Sequence, residues 1–327
     1  MKIIKNIFIV LNILLFSCAE NISPLNNTSS LNIKGDLNTL NIVTWNIENF
    51  PKNELTPDYV QTIIDSMEVD ILALQEIRSL TSLNNIAYNL GDNWVAYRSP
   101  GSSNYGNLAF LINTNEVNIM MDPYNMPNAD YPCPTYVLNI ENHRCAYQNP
   151  IDYEYNFAYR MPYILDFEYN SQLFSLVNIH LKCCNSNGDE KPRRFDSINH
   201  LYNYLDSNSN FSERNILIVG DYNDNLDTQV NYSGSNTTIF NLLESNGYTF
   251  ADQDIATGSS ANFSYPSYPS HIDHIAINEK ITNNLYITYS TQTLLIENIL
   301  SGGFSEYDSY VSDHRPVLIN LDIPISD

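Results

Sequence analysis

Charge is what this chain has least of, and the little it has is one-sided. Only 16% of its 327 residues are charged, and 37 acids against 15 bases give a formal net charge of -22. That balance argues against non-specific adhesion to nucleic acid through a basic surface. It does not exclude an enzyme that meets a phosphate through a bound divalent cation, because the ion supplies the missing positive charge locally. There is no Cys-x-x-Cys and no neighbouring His spacing, which argues against a structural zinc site. No internal repeat and no second composition regime is visible, so residues 39–327 read as one domain. Apolar residues make up 43%, enough to exclude a disordered chain.

The longest apolar run, Ile7 to Phe16, is too short to span a bilayer as a stable helix. It follows Lys2 and Lys5, so residues 1–17 read as a signal peptide. The run ends Leu14-Leu15-Phe16-Ser17-Cys18, which resembles the lipobox of bacterial lipoproteins. That resemblance implies a lipid on Cys18, an exported chain and attachment to the membrane of a bacterial cell envelope; a plain secreted protein is the alternative. Residues 18–38, rich in Asn, Ser and Thr, read as a flexible tether. Four further cysteines remain: Cys133, Cys145, Cys183 and Cys184. An even number in an exported chain points to disulfides, but sequence does not choose among the three pairings.

Short apolar runs capped by polar residues predict buried strands. Leu40 to Trp45, Ile71 to Leu74, Ile216 to Val219, Ile272 to Ile277, Leu285 to Tyr289 and Val317 to Leu321 read this way. Ala158 to Phe167 and Leu173 to Ile179 read as a strand pair, as do Asn107 to Ile112 and Val117 to Met121. Helical stripes run over Thr56 to Met67, with Thr56 as cap and Pro57 in the first turn, and over Arg194 to Leu205. Leu83 to Leu90 and Thr238 to Leu243 read as shorter helices. Asp122 to Pro150 reads as a long irregular excursion. The irregular order of strands and helices predicts an α+β fold of two mixed sheets packed together with helices outside.

The polar ends of these runs carry a set of motifs. They are Thr44-Trp45-Asn46, Leu74-Gln75-Glu76, Tyr105-Gly106-Asn107, Arg160-Met161-Pro162, Asn178-Ile179-His180-Leu181, Gly220-Asp221-Tyr222-Asn223, Ile272-Asp273-His274 and Ser312-Asp313-His314-Arg315-Pro316. Each alone has a bland reading: Glu76 as a helix start, Asp221 as a turn residue, His180 as a core imidazole. Together, in this order and over almost the whole chain, they resemble the endonuclease/exonuclease/phosphatase superfamily, the deoxyribonuclease-I-like fold. The resemblance implies a four-layer α/β/β/α sandwich.

It also implies an enzyme that hydrolyses phosphate esters with a divalent metal, Mg²⁺ first and Mn²⁺ or Ca²⁺ next. Such a cation prefers oxygen ligands and keeps several waters. Glu76 is then the firm ligand, with Asn46 and Asp313 helping. Asp221 orients or deprotonates the attacking water, and Asn223 holds phosphate or water. His314 acts as a base or a donor to phosphate, with Asp273 fixing its tautomer and raising its pKa. His180 donates to a phosphate oxygen or the leaving group, and Arg160 offers a forked donor to phosphate. Whether Asp221 or His314 is the base stays open. His271 and His274 have no catalytic counterpart and read as structural. The leading function is an exported nuclease acting on DNA or RNA; a sphingomyelinase-like or phosphoinositide-type lipid phosphodiesterase or phosphatase is the alternative. An anchored binding protein without catalysis is the reading from another class. No obligate protein partner is evident.

Overall fold

The computed structural model describes residues 39–100, 106–126, 138–139, 144–145, 155–183, 188–228, 230–232 and 235–325. The expected signal peptide, Cys18, the tether, Cys133 and Cys184 lie outside the described residues, and Cys145 is described only through its backbone.

Aliphatic and aromatic runs become strands. In chain order these are β1 Leu40–Phe50, β2 Ile71–Ile77, β3 Trp94–Arg98, β4 Asn107–Asn113, β5 Asn118–Ile119, β6 Tyr124–Asn125 and β7 Tyr163–Tyr169. Then come β8 Gln172–His180, β9 Asn215–Asp221, β10 Tyr248–Phe250, β11 Asp273–Asn278, β12 Thr288–Thr293 and β13 Val317–Asp322. The first sheet has six strands in the order β12-β13-β1-β2-β4-β3. The second has seven, in the order β10-β11-β9-β8-β7-β5, with β6 also paired to β7. Four longer helices are α1 Thr56–Asp65, α2 Leu80–Leu90, α3 Glu190–Ser207 and α4 Gly303–Tyr310.

Strand alternation decides which residue enters which layer. On β1, Val43 and Trp45 turn outward and join Val60 and Ile63 of α1, Leu83 of α2 and Tyr307 of α4 in one buried cluster. Their neighbour Ile42 turns inward and packs with Ile71, Phe110, Leu165, Phe174, Leu217, Ile275 and Ile319 from both sheets. The third cluster seats Ile198, Leu201 and Leu205 of α3 on Val177, Ile179, Ile216 and Ile218 of the second sheet. The result is the expected α+β arrangement: two mixed sheets, face to face, with helices on each outer side. No helix among the described residues is long and apolar enough to cross a membrane.

Three local expectations are corrected. Asn107 to Ile112 and Val117 to Met121 do not form a hairpin: β4 pairs with β2 and β3, whereas β5 pairs with β7 of the other sheet. The turn at 114–116 is thus a crossing between sheets, and strand pattern alone cannot tell a crossing from a hairpin. The strand expected at Leu285 begins only at Thr288, because Asn284 closes a turn that accepts the N–H of Tyr286 and Ile287 and leaves Leu285 92% exposed. Thr56 lies inside α1 rather than capping it. Leu55 occupies the cap position, and Asn53 Oδ1 accepts from the N–H of Leu55 at 2.8 Å and of Thr56 at 3.2 Å.

Candidate active site

Each sheet contains one parallel pair, β1 with β2 and β8 with β9. Each pair has an antiparallel neighbour, β13 beside β1 and β11 beside β9. The carboxyl ends of the parallel strands therefore meet the amino ends of the antiparallel ones at one edge of the molecule. Asn46, Glu76, His180 and Asp221 sit at the former ends, Asp273 and the Asp313-His314 turn at the latter. Register makes the gathering close: His180 is opposite Asp221, and Asp221 opposite Asp273.

Two glycines allow this crowding. Gly220 has φ +145°, and a Cβ there would lie 1.9 Å from the carbonyl oxygen of Ile179. Gly106 has φ +77°, and a Cβ there would lie 2.4 Å from the carbonyl carbon of Glu76. Glu76 itself has φ 63°, in the left-handed region that a non-glycine residue adopts at a cost, where the β1–β2 ladder shifts register. That turn aims its carboxylate out of the sheet. Its Oε2 accepts the N–H of Asn49 at 2.9 Å, and its Oε1 lies 3.4 Å from the Asn46 amide nitrogen.

The sheets are joined beneath the site by amides. Gln75 Nε2 on β2 donates to Asn178 Oδ1 on β8 at 2.8 Å and to Thr44 Oγ1 at 3.1 Å. Asn178 Nδ2 donates back to the carbonyls of Leu74 and Ala109, both at 3.0 Å. All of this is buried, so the bonds act at low dielectric. The sequence motifs contain Gln75 and Asn178, but reading them for metal ligands passes over the amides. The available signal is a buried amide inside an otherwise apolar run.

Around Asp221 the groups converge. Asn46 Nδ2 donates to its Oδ2 at 3.1 Å, and His180 Nε2 is 3.3 Å from the same oxygen. His314 Nε2 stands 3.9 Å from it, while His314 Nδ1 is 2.8 Å from Asp273 Oδ2. The backbone N–H of Asn223 donates to Asp221 Oδ1 at 2.8 Å. Asn223 Nδ2 and Arg160 Nη2 both donate to the Leu181 carbonyl, at 3.2 and 2.9 Å. Arg160 is thus drawn to the back of the histidine strand, one of its arms engaged with the main chain. His314 is fixed from behind, since its carbonyl accepts from Tyr307 Oη at 2.6 Å and from Trp45 Nε1 at 3.2 Å. Ser312 Oγ donates to the Asn46 carbonyl at 2.6 Å and accepts the His314 N–H at 3.0 Å.

Burial sets the electrostatics. Asp221 is pushed up to about 7 by desolvation, with His314 pulling the other way and Asp273 adding to the rise. For His314, burial favours the neutral ring, but Asp273, Asp221 and Asp313 outweigh it and raise the imidazole to about 10. His180 is held well below its ordinary value, first by burial and then by Arg160 and His314, so it stays neutral. Its Nε2 lies beside Asp221 Oδ2, at 3.3 Å. Asp313 is raised to about 6 by burial, opposed by His314 and reinforced by Glu48 and Glu76. Glu48 lies outside every motif singled out in the sequence. Its backbone N–H donates to Asn46 Oδ1 at 3.1 Å.

Glu76 and Asp313 are two carboxylates that repel one another across the site, while Asn46 turns its amide nitrogen toward Glu76 and Asp221 and its oxygen toward the Glu48 N–H. A divalent oxygen-seeking ion fits that imbalance. The histidines His271 and His274 lie with Asp252 in a separate buried group.

The sequence profile of the Endonuclease/Exonuclease/phosphatase family matches residues 43–314. None of the curated proteins matches the sequence. Among solved structures, the chain is similar to D. rerio TDP2 complexed with a single-strand DNA product, at 11% identity and TM-score 0.58, over 86% of this chain and 98% of that one. It is similar to the catalytic domain of human Nocturnin with a bound sulfate anion, at 14% identity and TM-score 0.58, over 86% and 94%. A Bacteroides vulgatus endonuclease/exonuclease/phosphatase has 14% identity and TM-score 0.56, over 88% and 99%.

Proposed function

The chain belongs to the endonuclease/exonuclease/phosphatase family, and on that premise we propose that it is a divalent-metal-dependent phosphodiesterase acting on DNA or RNA. The observation that carries the reading is the Asp221–His314–Asp273 arrangement beside Glu76, in which one carboxylate and one imidazole face a common space with displaced proton affinities. The D. rerio relative solved with a DNA product supports nucleic acid as the substrate class. The lipobox-like Leu14 to Cys18 segment supports export and a lipid on Cys18, with residues 39–327 as the working domain.

Glu76, Asn46 and Asp313 would hold a divalent cation, Mg²⁺ by preference, which when bound would supply positive charge for the phosphate oxygens. Asp221 takes the proton of the water that attacks phosphorus, the P–O bond to the leaving oxygen breaks in line, and the departing alkoxide takes its proton from solvent. A carboxyl poised near 7 suits that task, because it is a strong enough base yet ionised at working pH. Asn46 and the Asn223 backbone hold it in place by donating to its oxygens, with the His180 ring 3.3 Å from Oδ2. His314 remains doubly protonated against Asp273 and donates from Nε2 to a non-bridging phosphate oxygen, where charge builds in the transition state. This assigns the base to Asp221 and the donor to His314.

The test is to incubate the domain from residue 39 with plasmid DNA, RNA and sphingomyelin, with Mg²⁺ or with EDTA. The expected result is Mg²⁺-dependent cleavage of nucleic acid that EDTA abolishes. Cleavage of sphingomyelin alone would move the substrate to lipid headgroups, and turnover of no phosphoester would leave a binding protein.

A further inference from the structure

Behind the Asp273–His314 pair lies a buried ion cluster that the proposed chemistry does not use. Asp252 Oδ2 is 3.0 Å from His271 Nε2 and 2.6 Å from His274 Nδ1, and all three residues are buried. Three such groups at this spacing resemble a cation site, but the proton pattern rules it out. His271 Nδ1 accepts the N–H of Ser264 at 3.3 Å, so its Nε2 carries the proton and donates to Asp252. His274 Nε2 lies 3.0 Å from the Asp224 carbonyl, which only accepts, and its Nδ1 faces a carboxylate. Both its nitrogens are therefore donors. Asp252 Oδ1 accepts the N–H of Ile275 at 2.9 Å. The cluster is closed to a metal and serves as an anchor.

What it anchors is Ser264. This residue is fully buried, and each of its polar groups points at a segment that carries the catalytic pair. Its N–H donates to His271. Its Oγ accepts the N–H of Ile272 at 3.1 Å and of Asp273 at 3.2 Å. Its carbonyl accepts the N–H of Arg315 at 2.7 Å. The next residue, Tyr265, lays its ring 4.9 Å from that of His314. Asp273 opens β11 in the second sheet, while His314 precedes β13 in the first. No single ladder therefore fixes their separation. Ser264 bonds to the backbone at 273 and at 315, bridging the two.

We propose that Ser264 is a positioning residue for the Asp273–His314 pair, with Asp252, His271 and His274 as the fixed base that holds it. The inference rests on the phosphodiesterase reading for its kinetic arm and stands apart from it in its spectroscopic arm. Ser264→Ala removes the shared acceptor, and Ser264→Thr restores a hydroxyl. Hydrolysis of bis-p-nitrophenyl phosphate with Mg²⁺ is measured alongside the downfield ¹H resonance of the His314 Nδ1–H at fixed pH. In Ser264→Ala we expect kcat to fall about tenfold, as loss of supporting hydrogen bonds in a site commonly does. KM and half-saturating Mg²⁺ stay within about twofold, since neither depends on the pair, and the resonance shifts or broadens. Ser264→Thr recovers both signals. Should Ser264→Ala fail to fold, Asp252→Asn, which leaves the hydroxyl in place but releases its anchor, is expected to give the same split. A resonance and kcat equal to wild type would overturn the proposal, as would a fall in kcat matched by an equal loss of Mg²⁺ affinity. If wild type hydrolyses no phosphoester, the proposed function fails while the resonance still decides the role of Ser264.

Discussion

Asn178→Leu tests whether the amides between the sheets set the geometry of the site. Leucine has asparagine's branching and number of heavy atoms, so the change removes polarity while keeping the outline, with some added methyl bulk. It takes the donors from the carbonyls of Leu74 and Ala109 and the acceptor from Gln75 Nε2. Gln75 keeps Thr44 and the Ala73 carbonyl as partners, so it loses little. The two carbonyls are the main cost. Each lost buried hydrogen bond costs about 0.5–1.5 kcal/mol, which puts the pair at about 1–3 kcal/mol. Against the roughly 5–15 kcal/mol that holds a domain folded, this is a large fraction. Urea unfolding followed by tryptophan fluorescence should show a lower midpoint at unchanged slope. Turnover per folded molecule should also fall, because Asp221 and His180 belong to one sheet and Glu76 to the other. Half-saturating Mg²⁺ should hold, because Asn46, Glu76 and Asp313 all come from the first sheet. A variant within about 0.5 kcal/mol of wild type, the range of an indifferent substitution, would show that the clamp contributes nothing and would refute the reasoning.

Other outcomes follow from the same geometry. Glu76→Ala should raise half-saturating Mg²⁺ strongly in a calorimetric titration, whereas His314→Ala should leave it nearly unchanged and cut kcat by about 10²–10³, the range for losing a charge-stabilising donor. Near-normal rates in both would end these assignments. Gly220→Ala places a methyl 1.9 Å from the Ile179 carbonyl oxygen, so it should yield little folded protein, and a melting temperature equal to wild type would show that the strands separate freely. The Asp252 cluster should make stability depend on pH. Burial alone would raise the Asp252 carboxyl, but His274 and His271 outweigh it and hold it below the ordinary range, so its contribution is present above about pH 4 and is lost as pH falls. His274 is raised by Asp252 against the opposing effect of burial, so its contribution is full below about pH 6.5 and fades as pH rises through the folded value. Stability should therefore peak between these limits, and Asp252→Asn should flatten the profile; an equally peaked profile in the variant would place the titration elsewhere.

Much of this was legible without coordinates, for a physical reason. A strand buried on both faces must be apolar throughout, so a polar residue closing such a run stands out. That is how Asn46, Glu76, His180, Asp221 and Asp273 were visible, and why the two mixed sheets were too. The edge strand β3 Trp94–Arg98 was missed because its residues are all half-buried and show no alternation. Helix α4 was missed because it packs through few apolar residues, with Tyr307 its one buried side chain.

Composition and local pattern, then, determined the elements and their polar ends, since these depend on each residue's own preference for water, helix or strand; the kind of chemistry came from the resemblance that the ordered motifs carry. Tertiary structure alone decided which carboxyl is raised and which imidazole keeps two protons, because those depend on what comes near from another sheet. It turned β5 away from β4, set His180 beside Asp221, and brought Ser264 to the backs of Asp273 and Arg315. Asp273 and His314, 41 positions apart in the chain, and Ser264 and Arg315, 51 apart, meet there by strand register and buried charge, and neither is written in any short stretch of sequence.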